Sequence, residues 1–412
     1  MTIRFSVFLL AIAAAVVRTD GGPAADAARR ALAEGSSPSA NRFHLEARGE
    51  RHGCAFVPGP SGLADGELAF TDGQRTVTFR GFDVWDGGEL RGATARAPSP
   101  LVWRFSEEGG VLRLRVSCET DEEVRLALGP SDEKVFRAYG GTGYVVEDPR
   151  AFEVTSRDLI TSRAVGADYA NGLSVVQASD ILPERIFSRA DGRQYALVVR
   201  GRTFFAVRNK IDLSFVPSSR GAFAAARRLT SAHGVGEVAT ASHGDPSRWV
   251  KADACSDAER VPWHDIMSHN VMRLAGGGFE RDYAGPGRCQ AHGYSTDDYL
   301  CTTVMGGRAP LCDVAQAERS RYTYSMLGDL MRDFGRATFE SLTFGPTIHQ
   351  MHVVFSDGCE AWVNRSSSES WDLPGWTLPP LGFYAKSPKH ESGVVVWDTR
   401  RIRFSEKKVY NP

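Results

Sequence analysis

The sequence predicts a mainly β protein with a small α/β part. Between Arg42 and Val216, apolar and polar residues alternate in short runs such as residues 75–85 and 111–119. This alternation is typical of strands that have one face on a core. Short turns rich in Gly and Asp separate the runs, as expected between strands. Helical periodicity is confined to the middle of the chain, and residues 346–412 return to strand patterns.

The first large unit spans residues 42–230. Its many short strands and its near absence of helical periodicity predict a large antiparallel β-sandwich. The last part of the unit, GAFAAARRLTSAHG, predicts a helix that ends at His233 and Gly234, because glycine commonly follows the last turn of a helix.

The middle unit, residues 231–345, contains the α/β part. Residues 261–274 and 299–314 are predicted to be short apolar strands that run into loops. Residues 318–342 are predicted to be a helix, because large apolar side chains recur every four positions along one face.

The C-terminal unit, residues 346–412, is predicted to be a β-domain. The residues SDG at 356–358 lie between the strand patterns HVVF and CEAWVNR, which indicates a β-hairpin. Aromatic residues such as Trp362 and Phe383 alternate with small or apolar neighbours. We expect these aromatic side chains to belong to a core rather than to a platform for sugars.

The N-terminus has the layout of a secretory signal. Residues 1–20 contain Arg4 and then an apolar run from Phe5 to Val17, and small residues follow. This order is typical of a signal peptide, and it predicts a secreted or extracytoplasmic protein; the alternative is a buried or disordered N-terminal helix. Residues 21–41 are predicted to be a linker. No later segment is apolar enough to cross a membrane.

Composition and motifs exclude several classes of function. The net charge is −1, so there is no overall field that would attract nucleic acid. The seven cysteines form no C-x-x-C pair, which argues against a zinc ribbon or a thioredoxin site. The sequence contains no G-x-S-x-G, P-loop or H-E-x-x-H motif. We expect no cofactor and no nucleic-acid partner.

A first candidate site is the segment WHDIMSHN, which contains His264, Asp265, His269 and Asn270. An acid and two histidines at the end of a strand would face the pocket of a (β/α) barrel. The histidines are five residues apart and lack an evident third ligand, so we predict no metal. The alternative is a hydrogen-bonded loop cluster.

A second candidate site consists of Glu280, Asp282, Asp297 and Asp298, which have aromatic neighbours. Carboxylates can act as acid, base or nucleophile on a glycoside, and aromatic rings stack on sugars. The alternative for Asp297 and Asp298 is the N-terminus of a helix, where such residues are common.

A third motif is Asn364-Arg365-Ser366, which is an acceptor sequence for N-glycosylation. The alternative is an asparagine that closes a turn at the end of a strand.

Part of the chain resembles known glycoside hydrolases. ITSRAVGADYANGLSVVQASDILPERIFSRADGRQYALVVRGRTFFAV, with SRGAFAAARRL after it, resembles the galactose-mutarotase-like β-sandwich that precedes the catalytic barrel in large hydrolases similar to endo-α-N-acetylgalactosaminidases. VPWHDIMSHN and YSTDDYLCTTVMGGRAPLCD resemble late strands of that barrel, and FSDGCEAWVNRSSSESWDLPGWTLPPLGFYA resembles the closing β-domain. The resemblance covers roughly residues 75–230 and 258–400.

The resemblance implies a β-sandwich, the remnant of a (β/α) barrel, a C-terminal β-sandwich and a glycan as partner. A full barrel takes about 250 residues, whereas residues 231–345 leave room for two or three βα units. No segment matches the middle strands that carry the catalytic carboxylates in the family, so the catalytic residues stay unknown. The resemblance therefore implies a glycoside hydrolase-like protein that is catalytically impaired or a truncated form of a larger hydrolase. The alternative is a secreted, non-catalytic carbohydrate-binding or structural β-protein.

Overall fold

A computed structural model provides the structure of the protein. It describes residues 41–86, 89–91, 101–118, 125–140, 144–147, 152–155, 163–181, 183–200, 202–203, 206–207, 210–232, 261–270, 296–310 and 317–407. The predicted signal peptide and linker lie outside these residues, apart from residue 41. The described residues form 27 strands and four helices, which confirms the mainly β prediction.

The N-terminal sandwich contains three multi-stranded sheets and one small hairpin. The four-stranded sheet has the order β1-β2-β3-β4, with strands β1 (Asn41–Ala47), β2 (Glu50–Gly59), β3 (Gly62–Thr71) and β4 (Thr76–Arg80). The six-stranded sheet has the order β12-β15-β16-β9-β5-β6, with strands β5 (Phe82–Asp86), β6 (Glu89–Arg91), β9 (Arg125–Leu128), β12 (Phe152–Thr155), β15 (Arg185–Ser188) and β16 (Tyr195–Arg200).

The seven-stranded sheet is the largest of the sandwich and has the order β11-β10-β13-β14-β19-β8-β7. Its strands are β7 (Leu101–Glu108), β8 (Val111–Cys118), β10 (Val135–Gly140), β11 (Tyr144–Glu147), β13 (Ala164–Tyr169), β14 (Ser174–Ser179) and β19 (Lys210–Ser218). The small hairpin pairs β17 (Arg202–Thr203) with β18 (Ala206–Val207).

Phe215 of β19 marks the centre of the sandwich core. Its ring lies 6.2 Å from that of Phe82 in the six-stranded sheet and 6.3 Å from that of Phe70 in the four-stranded sheet, measured between centroids. All three side chains are buried. Three sheets therefore meet on one apolar core.

Four helices follow, and two of them correct the sequence prediction. The helices are α1 (Ala222–Ala232), α2 (Trp263–His269), α3 (Thr296–Gly306) and α4 (Ala317–Phe334). The helix before His233 is confirmed by α1. Within the described residues, the two apolar segments predicted as strands contain helix instead, because α2 covers residues 263–269 and α3 extends to residue 306.

A physical reason for the first correction is visible in the sequence. Pro262 immediately precedes α2 and its carbonyl accepts the N–H of Ile266, and proline is favoured at the start of a helix. Trp263 and Ile266 are three residues apart and both are buried, which is helical spacing. Seven residues are too few for periodicity alone to separate a helix from a strand.

The predicted helix over residues 318–342 is confirmed only in its first part. Helix α4 ends at Phe334, and the N–H of Gly335 closes its last turn on the carbonyl of Met331 at 2.9 Å. Strand β20 (Phe339–Phe344) follows. Phe339 is fully buried in it, so tertiary packing decides the end of the helix.

The C-terminal unit forms an eight-stranded sheet together with β20, which lies at the end of the middle unit. Seven strands follow the order β20-β21-β22-β25-β26-β24-β23, and β27 pairs with β26. After β20 they are β21 (Gln350–Phe355), β22 (Glu360–Asn364), β23 (Trp371–Leu373), β24 (Trp376–Leu378), β25 (Gly382–Lys386), β26 (His390–Trp397) and β27 (Arg400–Lys407). The predicted hairpin joins β21 to β22, and Asp357 and Gly358 take the positive φ angles, 58° and 72°, that its turn requires.

A second apolar core joins the sandwich to the C-terminal sheet. It includes the outer face of the seven-stranded sheet, the four helices and the inner face of the C-terminal sheet. At its centre, the buried rings of Trp263 and Tyr139 stack with centroids 5.5 Å apart. The indole N–H of Trp263 donates to the carbonyl of Ala164 in β13 at 3.0 Å, so α2 is fixed directly to the sandwich.

Every strand pairing within the described ranges is antiparallel. The helices of the middle unit thus form a layer between two antiparallel β units. None of the helices in the described part of the chain is both long and apolar enough to cross a bilayer.

Candidate functional site

Asp297 and Asp298 lie in the first turn of α3, where the helix dipole favours negative charge. The helix N-terminus that the sequence left open as an alternative is therefore present. Asp298 is 1% exposed, and its two oxygens accept hydrogen bonds from Nε and Nη2 of Arg365 at 3.0 and 3.2 Å. This pair joins α3 to the end of β22.

The carboxylate of Asp297 is held by two arginines of β27. Nη2 of Arg401 lies 2.6 Å from Oδ2 of Asp297, and Nη2 of Arg403 lies 2.8 Å from the same oxygen. Both bonds join α3 to β27 of the C-terminal sheet. Both neighbouring aspartates of α3 thus connect the helix layer to the sheet.

Asp265 of α2 has a similar partner. It forms a short ion pair with the guanidinium of Arg308, and both side chains are 9% exposed. The pair is reinforced by a bond from Nε of Arg308 to Oδ1 of Asp265 at 2.8 Å. Gly306 packs closely against this pair, because an added Cβ at residue 306 would lie 2.7 Å from Oδ2 of Asp265.

His269 lies beside this pair in an apolar environment. It is 8% exposed, and its ring centroid is 5.1 Å from that of Phe355. Burial lowers the pKa of His269, while the charge of Asp265 and a hydrogen bond with the backbone of Gly307 act in the opposite direction. We infer that His269 is a neutral packing residue near pH 7. The next residue, Asn270, accepts the N–H of Phe339 at 2.7 Å.

The remaining sequence candidates are less defined. His264 lies in α2, but its side chain is outside the described part of the structure, and Glu280 and Asp282 lie outside the described residues altogether. Substrate contact by the seven candidate residues stays a prediction. Within the described residues, no group of three or more His, Cys, Asp and Glu side chains is placed to hold a metal ion.

The glycosylation motif is closed off by folding. Asn364 is 0% exposed, and its side-chain N–H groups donate to the carbonyls of Glu369, Leu378 and Pro379 at 2.7, 3.2 and 3.1 Å. Asn364 therefore closes the turn after β22, which is the alternative that the sequence left open.

The outer face of the C-terminal sheet carries a row of aromatic residues that the sequence assigned to a core. His352, Trp362, Tyr384, Gly393 and Phe404 are direct cross-strand neighbours from β21 to β27. The glycine leaves space for a ring, because an added Cβ would lie 2.9 Å from Cε1 of Phe404. We call these five residues the aromatic row.

The rings of the aromatic row cover one another. The His352 and Trp362 rings are nearly parallel, at 6° and with centroids 4.3 Å apart. The ring of Trp376 in β24 stacks on that of Tyr384 at 5.1 Å and on that of Phe404 at 5.7 Å. Stacked rings present their edges to solvent, so most of the aromatic row is packing surface rather than a flat platform.

A polar group flanks the aromatic row. Glu360 contacts Nε2 of His352 at 3.0 Å and Nζ of Lys386 at 2.9 Å. Burial alone would raise the pKa of Glu360, but the hydrogen bonds from Lys386 and His352 outweigh it and lower that pKa. Nζ of Lys386 also lies 5.3 Å from the ring centre of Trp362. Glu360 and Lys386 thus form an ion pair beside the aromatic row, and His352 contacts the same carboxylate.

Trp397 at the end of β26 is the exception on this face. It is 60% exposed, the largest value among the exposed large hydrophobic residues of the described chain. Its ring centroid is 6.0 Å from that of Trp376 at an angle of 47°, so the two rings form an open corner. Arg400 is its direct partner across the hairpin. We call Trp376, Trp397 and Arg400 the Trp397 patch.

Sequence reasoning missed the Trp397 patch. One usable signal was the alternation of Gly393, Val395 and Trp397 along β26, which places all three on one face. The sequence does not reveal that on this face Val395 is buried by a small apolar cluster whereas Trp397 is exposed.

Comparisons with known proteins show only distant similarity. No family model matches the chain, and no curated protein matches it. The ligand-free structure of alpha-N-acetylgalactosaminidase NagBb from Bifidobacterium bifidum aligns with a TM-score of 0.30 and 11% identity, over 65% of this chain and 58% of the enzyme. Its complex with Gal-NHAc-DNJ aligns with a TM-score of 0.30 and 10% identity, over 66% and 57%.

A second protein aligns with a smaller part of the chain. Slr1438 from Synechocystis sp. PCC 6803 gives a TM-score of 0.26 and 12% identity, over 45% of this chain and 99% of that protein. The present chain thus spans somewhat more than half the length of the hydrolase that it resembles distantly. At these TM-scores no residue role is transferred from either protein.

Proposed function

We propose that this chain is a carbohydrate-binding protein that holds a glycan on the Trp397 patch. The observation that carries the proposal is the 60% exposure of the Trp397 ring beside Trp376. An indole face in water leaves apolar area uncovered, and aromatic faces pack well on the apolar faces of sugar rings. The resemblance of the sequence to glycoside hydrolases points to the same class of ligand.

The surroundings of the described carboxylates favour a binding role over glycoside hydrolysis. Glycoside cleavage uses two carboxyl groups that face one cleft about 5–10 Å apart. Asp265 and Asp298 are instead buried and bound to Arg308 and Arg365. A glycoside hydrolase-like but non-catalytic role accommodates both the sequence resemblance and the buried, paired carboxylates. A secreted location, as the N-terminal segment predicts, would bring the protein to extracellular glycans.

The test is a titration of the purified protein with a panel of neutral and acidic oligosaccharides, followed by tryptophan fluorescence and calorimetry. We expect binding that weakens at least about tenfold in Trp397→Ala, equivalent to about 1.4 kcal/mol. Phe136→Ala is the matched control, because Phe136 is an aromatic residue of the sandwich that is 50% exposed. This variant should bind like the wild type.

Two outcomes would overturn the proposal. One is that no glycan in the panel binds, or that Trp397→Ala binds as tightly as the wild type. The other is self-association in sedimentation velocity that Trp397→Ala abolishes, without any glycan binding. The patch would then be an interface between copies of the chain.

A further inference from the structure

The position of Arg400 suggests which class of glycan the Trp397 patch accepts. Trp397 and Arg400 flank the two-residue turn Asp398-Thr399, in which both residues have positive φ angles, 46° and 65°. Such a turn places the flanking residues directly opposite each other on one face of the hairpin. Directly opposed Cβ atoms are about 4.5–5.5 Å apart, so the guanidinium lies within reach of a ligand on the indole.

The charge of Arg400 is not used within the described protein. Arg401 and Arg403 of the same strand are both bound to Asp297. Arg400 is exposed, and within the described part of the chain it forms no ion pair. Asp398 in the turn is the nearest acidic residue along the chain, and it forms no ion pair with Arg400 in the described structure.

The chemistry of a free guanidinium points to an anionic group. Its planar fork of N–H donors matches the oxygens of a carboxylate or a sulfate, and such charge-assisted bonds are stronger than neutral ones. A sugar ring on Trp397 would bring a substituent of that ring next to the side chain of Arg400.

We propose that the Trp397 patch selects acidic sugars, with the ring stacked on Trp397 and a carboxylate or sulfate bound by Arg400. This inference rests on the proposed function, because it concerns the same site. It assigns the two residues different tasks. Trp397 provides affinity for any pyranose that fits, and Arg400 provides the preference for negative charge.

The experiment compares matched ligands on the full chain. Tetrasaccharides of glucuronate and of galacturonate are each paired with their methyl esters, and a sulfated galactose tetrasaccharide is paired with its desulfated form. At low ionic strength we expect the acidic member of at least one pair to bind about tenfold tighter than its neutral partner. The pair that shows the effect identifies the anion as carboxylate or sulfate.

The variants separate the two tasks. Arg400→Gln should bring the affinity for the acidic ligand down to that for the neutral partner and leave the neutral affinity unchanged. Arg51→Gln removes the same charge from an exposed arginine of β2, and it should preserve the preference. Trp397→Ala should weaken both members of a pair.

The outcomes distinguish this inference from the proposed function. If glycans bind through Trp397 but acidic and neutral partners bind equally, or if Arg400→Gln keeps the preference, the preference for acidic sugars is overturned and carbohydrate binding stands. If Arg51→Gln loses the preference as well, the effect is one of overall charge and the inference also fails. If no member of any pair binds, both proposals fail.

Discussion

Asp298 of α3 and Arg365 at the end of β22 form a two-bond ion pair, with Nε–Oδ1 and Nη2–Oδ2 distances of 3.0 and 3.2 Å. The side chains are 1% and 3% exposed, so water does not screen the two charges. Removal of one partner from such a pair leaves the other charge buried and unpaired. The sequence suggested Asp298 as a contact for a sugar. In the structure this carboxylate belongs to the packing between α3 and the C-terminal sheet.

The first prediction follows from this burial. Arg365→Met should lower the free energy of unfolding by about 3 kcal/mol, measured by urea denaturation. The double variant Asp298→Leu with Arg365→Met should recover part of the loss, because no unpaired charge remains. Glu46→Gln breaks an exposed pair with Arg51 and should leave stability unchanged.

Two results would contradict this role of Asp298. One is an Arg365→Met protein as stable as the wild type. The other is an Asp298→Asn protein that keeps its stability but loses glycan binding, which would instead make Asp298 a ligand contact.

The second prediction concerns the contact of α2 with the sandwich. An added Cβ at Gly166 of β13 would lie 2.6 Å from Cη2 of Trp263 and 3.0 Å from Cβ of Ala222. Gly166→Ala should therefore lower the unfolding free energy by about 1–3 kcal/mol, as overpacking does. Chemical denaturation measures the change.

Gly328→Ala serves as the control for Gly166→Ala. Gly328 lies inside α4, and its added Cβ would meet only the half-exposed ring of Tyr324, at 3.2 Å. Because alanine favours helices by about 1 kcal/mol over glycine, this variant should raise stability. A Gly166→Ala protein that is not destabilised would show that the two units do not pack as described.

The third prediction is a pH dependence of stability from Asp72. Burial alone would raise the pKa of this carboxyl, but hydrogen bonds from the backbone N–H groups of Arg75 and Gln74, and from the side chains of Arg75 and Ser219, lower it to about 2. In the unfolded chain the pKa of an aspartate is about 3.9. Because the pKa is lower in the folded state, the ionised carboxyl stabilises the fold at pH values above about 3.9. The contribution is lost as pH falls from about 4 toward 2.

Asp72→Asn tests this dependence. At pH 6 the variant should be less stable than the wild type by on the order of 1–2 kcal/mol, a value reduced for partial exposure to solvent. The difference should shrink as pH approaches 2. Equal differences in unfolding free energy at both pH values would contradict the prediction.

The fourth prediction is that the folded protein carries no glycan on Asn364. The side chain is fully buried and all its bonds point into the turn after β22, so an attached sugar would prevent folding. When the protein is secreted from a eukaryotic host, its mass should not change on treatment with an N-glycosidase. The chain contains no other acceptor sequence.

A matched control uses Gln74→Asn, which creates an acceptor sequence with Arg75 and Thr76. Residue 74 is exposed, and the motif has the same middle residue as the natural one. This variant should gain mass that the glycosidase removes. Folded protein with a glycan on Asn364 would overturn the assignment of that side chain to the turn.

The sequence by itself determined the mainly β architecture, the helix α1 and the hairpin between β21 and β22. These features depend on short-range rules, namely alternation, turn residues and caps. The apolar segments that became α2 and α3 were mistaken for strands, because short apolar runs fit either period. Packing of Trp263 and Leu300 into the second core favours the helix over the strand in these two segments.

The tertiary structure alone decided which polar and aromatic residues are free. Arg365 lies 67 positions from Asp298, and Arg308 lies 43 positions from Asp265, so no local pattern announced these ion pairs. Trp362 and Trp397 occupy similar strand patterns. Stacked neighbours cover Trp362, whereas Trp397 faces solvent. Exposure depends on which elements pack against a face, and that is a property of the whole fold rather than of any short segment.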